Sequence, residues 1–162
     1  EGPRTGAGMI RPAATAADFA HAVELIEEYV EWLPFELDFQ DYKTELADIE
    51  NHYAAPAGVL LLAFAETERA VGVVGVRRYA EGVAELKRMY VRPEGRRAGL
   101  GKSLARGAIE FARAAGYTAI RLDSDEASMP EANRLYERLG FVDIPRYRHN
   151  DLPCARFMEL QL

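Results

Sequence analysis

Residues 85–103, read E-L-K-R-M-Y-V-R-P-E-G-R-R-A-G-L-G-K-S, hold a change of period that few folds can accommodate. Residues 86–91 alternate like a strand, and Pro93 and Gly95 interrupt them. From Leu100 onward the apolar residues Leu104, Ala108, Phe111, Ala112 and Ala115 recur at helical spacing. A strand, a glycine turn and a helix start together predict an anion site. The first N–H groups of a helix have no internal acceptor and point at whatever lies there. Two standard phosphate motifs each miss by one residue. A P-loop ending in Gly101-Lys102-Ser103 needs glycine where Arg96 stands, and a dinucleotide fingerprint needs glycine where Leu104 stands.

The charge distribution supports the same reading. Between Lys87 and Arg106 there are seven Lys or Arg and one Glu, a net of +6 in a chain of −6, so the remainder carries −12. A concentrated basic patch on an acidic protein suits a compact polyanion and argues against general nucleic-acid binding. No apolar run approaches the roughly 18–20 residues of a membrane span, so no membrane partner is expected. Cys154 is the only cysteine, which excludes an internal disulfide and fits a cytoplasmic protein. His21, His52 and His149 have no metal-ligand spacing, and no metal is expected.

Along the chain, residues 1–8 read as a cloning remnant, and one domain is expected over 9–162. A short strand at 9–12 precedes a helix opened by Thr15-x-x-Asp18 and stopped by Pro34. A second, shorter helix uses Tyr42, Leu46 and Ile49. Runs at 59–65, 70–79 and 83–91 predict an antiparallel meander. After the helix at 100–115, with Gly116 at its C-terminus, a strand at 119–123 should lie parallel to 83–91. Ser128-x-x-Glu131 predicts the cap of another helix, and strands at 141–144 and 155–160 close the chain.

The remaining pattern is Arg96-x-x-Gly99-x-Gly101. It is preceded by Met89-Tyr90-Val91-Arg92-Pro93 and followed by Asn133-x-x-Tyr136-x-x-x-Gly140-Phe141. This set resembles the acyl-CoA pyrophosphate motif and its surroundings in the GNAT superfamily of N-acyltransferases. The resemblance covers residues 9–162 and is strongest over 84–145. It implies an α/β (α+β) domain with a central mixed, mostly antiparallel sheet, splayed at the CoA site and flanked by helices. It also implies transfer of an acetyl group from acetyl-CoA, as co-substrate, to a small-molecule or peptide amine. The phosphates would sit on Arg96, Arg97, Ala98, Gly99, Leu100, Gly101, Lys102 and Ser103. The main chain of Met89, Tyr90 and Val91, at a bulge, would bind the acyl and pantetheine portions, with Asn133 nearby. A non-catalytic acyl-CoA-binding module on the same fold is the alternative, and a homodimer is left open.

Acyl transfer to an amine needs three things: a proton acceptor for the ammonium, a donor for the carbonyl oxygen, and help for the leaving thiolate. The resemblance places Glu85 at the base position, against a plain reading as a partner of Lys87 or Arg88. It places a backbone N–H near Met89 as the oxyanion donor. It gives Tyr136 to the thiolate, against a reading as a core tyrosine. Trp32, Phe35, Glu36 and Tyr147 are expected to line the acceptor pocket, an aromatic and acidic set suited to a cation.

Overall fold

The computed structural model describes residues 9–34, 39–65, 69–96, 98–148, 150 and 152–162. Strand β1 (Met9–Pro12) leads to helices α1 (Ala16–Trp32), α2 (Phe39–Ala47) and α3 (Ile49–His52). The meander β2 (Val59–Phe64), β3 (Ala70–Ala80) and β4 (Val83–Val91) follows. Next come the short α4 (Pro93–Arg96), then α5 (Leu100–Ala114), β5 (Ala119–Asp125) and α6 (Pro130–Arg138). Strands β6 (Val142–Asp143) and β7 (Ala155–Gln161) end the chain. One sheet runs β1-β2-β3-β4-β5-β7-β6, and every neighbouring pair is antiparallel except β4 with β5. No helix among the described residues is long and apolar enough to cross a membrane.

The helix starts show where local sequence decides and where it does not. Thr15 and Asp18 form the reciprocal capping box that opens α1, as the spacing predicts. The cap expected for α6 does not form. Both the N–H and the hydroxyl of Ser128 bond instead to Asp125, because β5 runs two residues past 123 and delivers that carboxylate beside them. Helix α6 starts on Pro130, whose missing N–H costs nothing in the first turn. The single helix expected around Tyr42 and Ile49 is split at Asp48, whose side chain accepts from Asn51 Nδ2 at 2.8 Å.

Two apolar cores lie on opposite faces of the sheet. One packs α5 on it through Leu100, Leu104, Ala108 and Ala112; the other packs α1 through Ala22, Leu25 and Ile26. Strand β4 serves both by alternation, with Ala84 and Leu86 toward α5. The alternation then breaks. Lys87 opposes Gly75 and Tyr90 opposes Val73, so Arg88 and Met89 together face Val74 across a β-bulge. Arg88 takes φ of 59°, a left-handed conformation unusual outside glycine. The extra residue sends Met89 to the α5 side and leaves Tyr90 with the α1 core. Pairing of β4 with β5 stops at Glu85–Arg121, and the two strands part from there.

Candidate active site

The parting of β4 and β5 opens a cavity of about 1220 Å³. Its walls come from β4 (Leu86 to Val91), from β5 (Leu122 to Asp125), and from the starts of α5 and α6. The turn into α5 forms one end. Gly99 caps the helix with φ of 71°, which favours glycine, and Ser103 N–H is the first to bond back, to Gly99 O at 3.1 Å. The amides of Leu100, Gly101 and Lys102 therefore have no helical acceptor. Gly99, Gly101 and Lys102 line the cavity at this end, together with Arg96. Arg96 Nε donates to Val91 O at 2.9 Å, and its guanidinium lies 5.8 Å from the Trp32 ring centre.

The other residues of the motif stand behind this end. Leu100 is core, Ala98 packs on the core, and Ser103 Oγ bonds back to Gly99 O. Asn133 is buried and outside the lining; it accepts from Ser124 Oγ at 2.6 Å and donates to Asp125 O at 3.2 Å, locking α6 to the end of β5. Tyr136 lines the cavity from α6 against Phe141. Burial pushes its phenol well above the usual range and pushes Tyr29, on the opposite wall, up to about 12. Both are protonated at neutral pH. Met89, Tyr90 and Val91 also line the cavity, with the β5-facing edge of β4 unpaired from Leu86 onward. Arg97, Phe35 and Glu36 lie outside the described residues.

The side of the cavity away from α5 is built on charge. Glu85 is fully buried and is not part of the lining. Tyr147 donates to its Oε2 at 2.9 Å, Arg148 Nη2 bonds the same oxygen, and Lys87 Nζ is 3.8 Å from Oε1. Tyr147 likewise stands behind the wall, its ring edge-on to Tyr79 and Phe157. Trp32 does line the cavity, but beside Arg96 at the α5 end and away from the Glu85 cluster, unlike the expected placement. Arg88 is gripped by the buried Glu45 through Nε (2.9 Å) and Nη2 (3.0 Å), and Tyr53 donates to the same carboxylate at 2.9 Å. Burial alone would raise Glu45, but the Arg88 hydrogen bonds and charge hold it below the usual range. Burial lowers Lys87, partly offset by the charge of Glu85.

Sequence reasoning missed Glu45, Asp123 and Arg148. Asp123 lines the cavity and offered one signal, its place at the carboxyl end of a strand predicted parallel to β4. Glu45 and Arg148 offered none, because their partners lie 43 and 63 residues away.

A cavity between two parting strands, with unpaired helix-start amides at one end, is the arrangement that the resemblance to acyl-CoA-dependent transferases implies. The Acetyltransferase (GNAT) family model matches residues 22–141, and the chain belongs to that family. It is an acyltransferase with acetyl-CoA as co-substrate. An uncharacterized N-acetyltransferase of Schizosaccharomyces pombe is 36% identical over 139 residues, 85% of each chain. N-acetylaspartate synthetase of Danio rerio is 35% identical over 111 residues, 68% of this chain and only 39% of the fish protein. Among solved structures, an acetyltransferase from Streptococcus agalactiae superposes with TM-score 0.78 at 28% identity, covering 96% of this chain and 98% of that one. The fold is shared too by yncA of Salmonella typhimurium, solved with its cofactor acetyl-CoA (TM-score 0.68, 22% identity, 95% and 93% coverage).

Proposed function

We propose that the protein acetylates a primary amine on a small molecule or peptide, by direct attack within a ternary complex. The amine nitrogen forms a bond to the thioester carbonyl carbon as the carbon–sulfur bond breaks. The nitrogen loses one proton, the sulfur gains one, and the products are an N-acetyl amine and CoA. One observation carries this reading. A single cavity runs from the free amides of α5, past the unpaired edge of β4, to Tyr136.

In this assignment the Leu100–Lys102 amides, Arg96 and Lys102 hold the pyrophosphate. A main-chain N–H near Met89 receives the carbonyl oxygen, where charge builds in the transition state. Tyr136, kept protonated by burial, donates to the departing sulfur. Glu85 works from behind the wall, holding Arg148 and Tyr147 in place; as a base it would need Arg148 to swing aside. Cys154 is exposed and unpaired, which suits a cytoplasmic location.

The test is CoA release from acetyl-CoA over a panel of polyamines, peptides and amino acids, aspartate included because of the vertebrate relatives' name. Saturable turnover with at least one amine is expected. CoA binding without turnover on any amine would favour a non-catalytic binding module. Glu85→Gln sharpens the role of that residue: a rate deficit constant across pH is expected of an anchor, and one that shrinks at high pH would make Glu85 the base.

A further inference from the structure

One side of the cavity carries donors that nothing among the described residues satisfies. Lys87 lines it, 15% exposed, and among the described residues its ammonium makes no hydrogen bond, Glu85 Oε1 lying 3.8 Å away. Arg148 lines it too, with Nη2 spent on Glu85 and a buried Nε that has no acceptor. The carboxylates that balance this wall, Glu85 and Glu45, are buried behind it and outside the lining. The cavity therefore meets the cationic side of each pair. Three carboxylates do line the cavity: Asp125 is engaged by Ser128, Glu131 lies in the first turn of α6, and Asp123 stands on β5 near Lys87 and Arg148. Asp123 sits on the face of β5 opposite to Leu122, held by Asn150 at 3.3 Å and within electrostatic reach of Lys87 and Arg148.

Resting on the acetyltransferase reading above, we infer that the acceptor is an amino acid or similar amine bearing a carboxylate close to its nitrogen. Lys87 and Arg148 hold the carboxylate, and Asp123 faces the ammonium and takes its proton. Lys87 and Arg148 set beside Asp123 match a dipolar ligand. A polyamine would set like charges directly against Lys87 and Arg148. Loss of a charge-assisted hydrogen bond to such a wall commonly costs about ten- to a hundredfold in affinity.

The experiment compares matched acceptors on the purified protein: L-amino acids, their α-amides, and polyamines, with acetyl-CoA saturating. Amino acids should exceed their amides by at least about tenfold in kcat/KM. Lys87→Gln and Arg148→Lys should raise the amino-acid KM about ten- to a hundredfold, leave the acetyl-CoA KM unchanged, and shrink the preference of acid over amide. The wild-type comparison needs no variant, so a misfolded Arg148→Lys leaves the test intact. Amides or polyamines preferred over amino acids, or variants that slow acid and amide equally, would overturn the inference. CoA affinity, read separately by calorimetry, distinguishes the two levels. A protein that does not bind CoA contradicts the acetyltransferase reading itself; one that binds CoA and acetylates only non-acidic amines contradicts the amino-acid assignment alone.

Discussion

The two ends of the cavity are built from different materials. At the donor end a turn and a helix start present main-chain amides, with Gly99 supplying the left-handed cap and Lys102 exposed beside it. Its long-range contacts are the packing of α5 on the sheet and the Arg96 guanidinium beside the Trp32 ring. At the acceptor end the wall is made of ion pairs between segments far apart in sequence: Glu45 with Arg88, and Glu85 with Arg148. A backbone site costs little stability because its unpaired amides face solvent or ligand. A wall of buried charges is stable only while each charge has its partner. The first is robust and generic; the second is fragile and specific.

The largest effect should come from breaking that wall. Glu45→Leu leaves Arg88, 11% exposed, buried without its carboxylate and should cost about 3–5 kcal/mol in denaturant unfolding. Adding Arg88→Met should recover most of the loss, because it is the orphaned charge that destabilises. If Glu45→Leu is neutral, the acceptor wall is not an ion-pair structure in the sense argued.

Next is the donor end, where function should fall without stability. A Cβ at Gly101 meets nothing nearer than Val91 at 3.9 Å and Leu135 at 4.0 Å, so Gly101→Val fits the fold while filling the cavity. CoA affinity should drop about a hundredfold, the equivalent of two lost hydrogen bonds to charged oxygens. Stability should change by less than ~1 kcal/mol. Gly99→Val would blur the comparison, since φ of 71° adds about 1–2 kcal/mol of backbone strain. Unchanged CoA affinity in folded Gly101→Val would remove the donor assignment.

Acid should reveal the pairs collectively. Asp18 is held low by its Arg11 hydrogen bonds, Glu28 by those of Arg92, and Glu45 by Arg88 against its own burial. Each binds its proton at lower pH folded than unfolded. Their contribution is therefore complete above the ordinary carboxylate range near ~4 and is lost as pH falls through the lowered values. The share of the unfolding free energy that these three carboxylates supply should be level from about pH 5 upward and fall steeply below ~4. Glu45→Leu should flatten that fall, and an unchanged slope would detach Glu45 from it.

The smallest effect belongs to Tyr136→Phe. The ring keeps its contact with Phe141, so folding should be untouched and kcat should fall about tenfold or less, since a thiolate of pKa near ~8.5 already leaves readily. An equal rise in the acetyl-CoA KM would assign the hydroxyl to binding rather than to sulfur.

The sequence by itself determined what depends on neighbours within a few residues. The Thr15–Asp18 cap, the meander, the glycine turn into α5 and the parallel placement of β5 all follow from local spacing, and the chain adopts each of them. The alternation of β4 was legible up to Lys87. Only the tertiary structure decided the rest: the capture of Arg88 by Glu45, the burial of Glu85 beneath Arg148, and the diversion of Ser128 to Asp125. The physical reason is that a hydrogen-bonded cap closes over three or four residues of chain. A buried charge instead takes whichever opposite charge folding brings within reach, and that partner leaves no periodic mark on either segment.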